Sequence, residues 1–84
     1  PNPYADATNI PFTLAVGGNV TIDLFDTMGR KVAAIVRDGL APGDHMVPVE
    51  MEKLGLVNAN YVYQLTVRNT NGVFRQCKLM TARK

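Results

Sequence analysis

The chain has 84 residues, of which 46% are hydrophobic and 19% are charged, and its net charge is +2. This length allows one small domain, so residues 1–84 are expected to form a single domain with little room for an enclosed active site. The longest wholly apolar run, residues 32–36, is far shorter than the ~20 residues of a membrane-spanning helix and excludes membrane insertion through one. The chain begins with neither methionine nor a signal segment, which predicts a fragment of a longer protein.

Alternating apolar and polar residues predict β-strands along most of the chain. The alternation covers residues 10–14, 20–24, 45–49 and 61–67. Residues 32–36 are apolar at every position, so they predict a strand but not which side chains face inward. Residues 73–82 keep no single parity, which predicts a bulge or a register change in the last strand.

Turn sequences separate these segments at short intervals. They include Gly17-Gly18, Asp38-Gly39, Pro42-Gly43 and Asn71-Gly72. Six or seven short strands with such turns predict an all-β fold, an antiparallel β-sandwich or barrel. The side chains expected in its core are Ile10, Phe12, Leu14, Val20, Ile22, Leu24, Val32, Ile35, Val47, Val49, Leu54, Tyr61, Tyr63, Leu65, Val67 and Leu79.

The strongest local motif runs from Asp26 to Arg30. Aspartate in the first and glycine in the fourth position favour a type I turn, in which the carboxylate accepts backbone N–H bonds. We therefore interpret Asp26, Gly29 and Arg30 as a turn that specifies the fold. Arg30 is expected to pair with Asp26 or Asp38, or to bind a carboxylate of a partner.

Catalytic and cofactor signatures are missing from the sequence. It has no serine for a hydrolase triad, and its lone Cys77 and His45 fall short of a structural zinc site. Cys77 is interpreted as a small core residue and His45 as a cap on the core that bonds to the backbone. No metal or cofactor is expected, and the lack of tryptophan disfavours sugar binding.

The charges are unevenly distributed along the chain. Residues 1–52 carry seven acidic and three basic residues, whereas residues 53–84 carry six basic residues and no acid. Two interpretations stay open: the halves interleave so that the charges pair across the sheet, or a basic C-terminal strand faces an acidic partner. The basic residues are spaced along strands rather than clustered, which disfavours nucleic acid as the partner.

The order of the short motifs resembles two related bacterial families. These motifs are Pro1-Asn2-Pro3-Tyr4, Asp26-Thr27-Met28-Gly29-Arg30, Gly43-Asp44-His45, Asn60-Tyr61-Val62-Tyr63-Gln64-Leu65 and Lys78-Leu79-Met80. In this order they resemble the C-terminal sorting domains of type IX secretion cargo, and equally the immunoglobulin-like domain of flagellar hook-capping proteins. The chain departs from the pattern at Asn60, where glycine is usual, and at Thr81-Ala82, which is less apolar than the usual tail.

The resemblance implies an immunoglobulin-like antiparallel β-sandwich of about seven strands, without catalytic activity. In the sorting family such a domain directs its parent through the periplasm to the cell surface or medium, where outer-membrane secretion machinery recognises the last strand. That role falls on Lys78, Leu79, Met80, Thr81, Ala82, Arg83 and Lys84. The alternative is a structural module that packs against neighbouring domains, or against copies of itself through an edge strand.

Overall fold

A computed structural model describes residues 7–82 of the chain. This part contains six β-strands, one fewer than the approximate expectation of seven. They are β1 (Ala7–Leu14), β2 (Gly18–Phe25), β3 (Lys31–Leu40), β4 (Gly43–Glu50), β5 (Ala59–Asn69) and β6 (Gly72–Ala82). Within residues 7–82 no helix has the length and apolar character needed to cross a membrane.

The strands form two antiparallel sheets of unequal width. The small sheet pairs β1 with β4, and the large sheet has the order β3-β2-β5-β6. Side chains from both sheets meet in one buried cluster, so the fold is a β-sandwich rather than a closed barrel. Because the small sheet has two strands and the large sheet has four, the outer strands β3 and β6 of the large sheet are left incompletely covered.

The core is built from the alternating apolar residues. Its buried members are Ile10, Leu14, Val20, Ile22, Leu24, Ile35, Val47, Val49, Met51, Tyr61, Tyr63, Leu65, Met80 and Ala82. Phe12, Val32, Leu54 and Val67 from the expected core are partly buried and pack against this cluster. The inward orientation of residues 61, 63 and 65 in β5, which the alternation predicted, is therefore confirmed.

Two expectations for the last strand are wrong. Leu79 is 71% exposed, whereas its neighbour Met80 is buried. The pairing of β5 with β6 runs without a register shift from Ala59↔Ala82 to Asn69↔Gly72, so there is no bulge. Apolar and polar residues do not alternate regularly in β6 because neither face of the strand is covered before Met80. Apolar residues therefore occupy both faces.

Candidate interaction surface

Strand β6 is the most exposed strand of the large sheet. From Gly72 to Leu79 every residue is exposed, although the strand is eleven residues long and pairs with β5 throughout. Three large apolar side chains lie in this segment: Val73 is 47% exposed, Phe74 53% and Leu79 71%. Within residues 7–82 the other edge of β6 has no strand partner. We call Gly72 to Leu79, with this free edge, the β6 surface.

The structure divides the residues to which sequence analysis assigned recognition. Lys78 and Leu79 are exposed, but Met80 and Ala82 are buried in the core. The Thr81 hydroxyl donates a hydrogen bond of 2.8 Å to Asn60 Oδ1 on β5. The last three residues of β6, 80–82, therefore fasten the strand to the sandwich, and the β6 surface that precedes them is exposed. Arg83 and Lys84 lie outside the described residues.

A groove lies between β1 and the inner face of β6. Two adjacent cavities of about 320 and 260 Å³ share Thr13, Val67 and Phe74 in their walls, so they form one continuous groove. Its floor is Val67 with Leu65, and its β6 wall includes Phe74 and Lys78. The sequence pattern did not predict this groove or the place of Phe74 in its wall. We call it the β1/β6 groove.

The ion pairs leave the β6 surface without counter-charges. Among residues 7–82 they join Arg30 to Asp26 at 2.7 Å, Lys31 to Asp23 at 2.9 Å and Lys53 to Glu50 at 3.0 Å. The basic residues of β5 and β6 take no part in them, so the expected charge pairing between the two halves across the sheet is not found. The reason is topological, because β5 is the one strand that pairs with β6 within residues 7–82 and β5 carries no acid.

Strand β6 also receives no negative charge from the tyrosine that faces Lys78. Tyr63 lies directly opposite Lys78 in the register, and both point to the inner face of the sheet. Burial raises the pKa of the Tyr63 hydroxyl above its ordinary value of 10.0. This hydroxyl therefore stays neutral at physiological pH.

The motif at Asp26 forms the tight connection between β2 and β3. Asp26 Oδ1 accepts hydrogen bonds of 2.9 Å from the backbone N–H groups of Met28 and Arg30, and Oδ2 accepts one of 2.7 Å from Arg30 Nε. The Gly29 N–H donates to the Asp26 carbonyl at 3.0 Å, and Gly29 has a φ of 83°, which suits glycine. Every one of these bonds is local, and β5 separates the turn from β6.

These hydrogen bonds also set the ionisation of Asp26. The backbone N–H of Arg30 is the largest of the influences that hold the pKa of the Asp26 carboxyl below its ordinary value of 3.8, and burial opposes it. The Arg30 guanidinium and the Met28 N–H act in the same direction as the Arg30 backbone. Asp26 is consequently ionised throughout the physiological range and serves as a hydrogen-bond acceptor rather than as an acid catalyst.

Cys77 and His45 do not come together. Cys77 is exposed on β6, so its interpretation as a core residue is wrong; the outer side of this edge strand is uncovered. His45 belongs to the small sheet, where its Nε2–H donates to the Ala41 carbonyl at 2.7 Å and its ring stacks on Phe12 at 5.5 Å. In the described part of the chain no three His, Cys, Asp or Glu side chains are grouped to hold a metal ion.

Comparisons with known proteins relate the chain to one solved structure. No protein-family model matches the sequence, and no curated protein matches it. The crystal structure of FlgD from P. aeruginosa superposes with a TM-score of 0.73 at 15% sequence identity, over 89% of this chain and 60% of that one. The chain thus spans less than two thirds of the FlgD chain. The similarity shows that the chain has an immunoglobulin-like β-sandwich fold.

Proposed function

We propose that this chain is a non-catalytic structural module that joins its parent protein to neighbouring domains in an extracellular assembly. The observation that carries the proposal is the β6 surface, which combines an unpaired edge with exposed Val73, Phe74 and Leu79. An edge strand of this kind can add to the sheet of a partner or pack against its side chains. The shared fold with FlgD, a flagellar hook-capping protein, supports a structural role.

The chain offers a matched pair of positions for testing this function. Val73 on β6 and Val36 on β3 are both valines on the outer face of the large sheet, 47% and 53% exposed. A photo-crosslinking residue is placed at either position in the parent protein, which is then irradiated in its native assembly. We expect crosslinks to a neighbouring domain or protein from position 73 and none from position 36. Crosslinks from position 36 alone, or equal yields from both, would contradict the proposal.

A second candidate function is secretion sorting, in which the last strand directs the parent through the type IX machinery to the cell surface. It is supported by the ordered motifs that end at Lys78-Leu79-Met80 and by the exposure of Lys78 and Leu79. Deleting residues 79–84 from the parent tests it. A sorting role requires the deleted protein to accumulate in the periplasm. A purely structural role leaves export intact and reduces retention in the assembly.

A further inference from the structure

Within residues 7–82 the small sheet has no strand that covers β6 of the large sheet. Strand β1 pairs with β4 on one edge and has no partner on the other within residues 7–82. The β1/β6 groove lies beside that unpaired edge and above the inner face of β6, which carries Phe74, Gln76 and Lys78. An extended segment placed there would lie next to β1 and cover these side chains.

We propose that the β1/β6 groove binds an extended segment of a partner protein. At one end of this segment the side chains that face the groove are apolar, and at the other end a side chain presents a carboxylate. The inference rests on the proposed structural function and specifies the chemistry of the partner that the β6 surface contacts. Phe74 and Lys78 mark the two ends of the contact along β6. Five residues of strand cover about 17 Å, so the bound segment is about five residues long.

The apolar end of the groove lies at Phe74. This side chain is 53% exposed, and Val67 and Phe12 beside it are only partly buried. Phe74 and Val67 face each other across the β5–β6 register, so they present one apolar surface to the groove. Covering an aromatic ring and its aliphatic neighbour is favourable by roughly 25 cal/mol for each Å² removed from water. Apolar side chains of the segment therefore belong at this end.

The charged end of the groove lies at Lys78. Lys78 lines the groove from the inner face of β6, and in the described part of the chain it forms no ion pair. Arg75 also borders the groove, but its register position is on the outer face of β6. A carboxylate of the segment supplies the missing counter-charge, and charge complementarity of this kind selects the partner and its orientation. A second copy that docked through the same face of its own β6 would bring another Lys78 to the same place, which is unfavourable.

The test measures binding of a synthetic peptide to the 84-residue chain by isothermal titration calorimetry at low salt. The probe is acetyl-Thr-Val-Thr-Val-Thr-Glu-amide, which in a strand directs both valines and the glutamate to one face. The control peptide replaces the glutamate with lysine. We expect the glutamate peptide to bind about tenfold more tightly than the lysine peptide, the ratio that corresponds to one well-placed charge.

Matched variants locate the site. Lys78→Glu and Arg37→Glu change the net charge equally at exposed positions with inner-face register on the two outer strands, but Lys78 lines the groove whereas Arg37 lines a cavity on the β3 side. We expect Lys78→Glu to weaken binding of the glutamate peptide about tenfold, and Arg37→Glu to leave it unchanged. Nuclear magnetic resonance shifts at Phe74 and Val67 report occupancy independently.

The possible results separate this inference from the proposed function. Failure of the glutamate peptide to bind, or equal weakening by Arg37→Glu, overturns the groove assignment. A concentration-dependent dimer that Lys78→Glu abolishes also overturns it, because a second copy is then the occupant. Crosslinking from position 73 in the native assembly is independent of the peptide, so the structural function stands or falls on that result alone.

Discussion

The two outer strands of the large sheet, β3 and β6, differ in the features that prevent unwanted pairing with another strand. Strand β3 has two register shifts against β2, at Gly18/Val20 and at Leu24/Phe25, whereas β6 pairs with β5 in unbroken register. The cavity beside β3, about 270 Å³, is lined by charges of both signs, Arg37, Lys53 and Glu50. The charged residues that border the β1/β6 groove, Arg75 and Lys78, are both basic.

This difference indicates which edge is protected and which is available. Bulges and charged side chains are devices by which natural sheets prevent edge-to-edge association. Strand β3 has both devices, and the ion pair of Lys53 with Glu50 satisfies charges near it internally. Strand β6 carries the charged residues Arg75 and Lys78 but has no register shift, so its edge is regular and its positive charge is uncompensated within residues 7–82. The regular register of β6 supports the proposal that the interaction surface lies on β6 rather than on β3.

The largest expected effect tests whether β6 is as uncovered as its exposure indicates. Leu65 and Leu79 lie on adjacent strands, but Leu65 is 8% exposed and Leu79 is 71% exposed. Leu65→Ala should lower the free energy of unfolding by ~2–5 kcal/mol because it leaves a cavity in the core. Leu79→Ala should change it by less than about 0.5 kcal/mol.

Urea titration of both variants measures the difference directly. A loss below ~1 kcal/mol for Leu65→Ala would mean that β5 does not face the core as described. Equal losses for the two leucines would mean that part of the folded chain covers the outer face of β6. Strand β6 would then not be an exposed edge of the large sheet.

The second prediction concerns the turn that introduces the bulge at the start of β3. Gly29 has a φ of 83°, and an added Cβ would meet no atom within 4 Å, so the cost of a side chain there is conformational and not steric. Gly29→Ala should lower the free energy of unfolding by about 1–2 kcal/mol. Gly29→Asn is the control and should cost less, since asparagine enters the left-handed region more readily. Equal stability of the alanine variant and the parent chain in urea would refute the turn geometry.

The third prediction compares two tyrosines on β5, the strand that pairs with β6. The Tyr61 hydroxyl donates a hydrogen bond of 2.6 Å to the Val57 carbonyl, and this bond holds β5 to the connection that precedes it. Tyr61→Phe should lower the free energy of unfolding by about 1 kcal/mol. Tyr63→Phe should have a smaller effect, because the Tyr63 hydroxyl makes no hydrogen bond within residues 7–82. The reverse order in a urea titration would contradict this arrangement.

Local features were predictable from the sequence, whereas features that depend on the order of strands were not. The strand at Tyr61 was predictable because one of its faces is buried, which enforces alternation. Leu79 was misassigned because alternation carries information only where a second sheet covers one face, and the two-stranded sheet does not reach most of β6. The β1/β6 groove requires knowledge of which strands are neighbours. Two features of the sequence could have indicated the groove: the lack of acidic residues after Lys53 and the position of Phe74.

The smallest expected effect is a pH dependence that originates in the turn before β3. Hydrogen bonds from Arg30 and Met28 lower the pKa of Asp26 below 3.8 in the folded chain, while the unfolded chain keeps the ordinary value. The unfolded state therefore binds the proton more readily, and stability from this group is complete above pH 3.8 and lost as the pH falls through the lowered pKa. Asp26→Asn should reduce the slope of unfolding free energy against pH in this acidic window and leave it unchanged near neutrality. Asp38→Asn, which removes an exposed carboxylate on β3 without hydrogen bonds to its side chain in residues 7–82, should retain the slope of the parent chain. If urea titrations across the acidic range give Asp26→Asn the same slope as Asp38→Asn, the turn does not hold the ionised carboxylate, and the start of β3 depends on Gly29 alone.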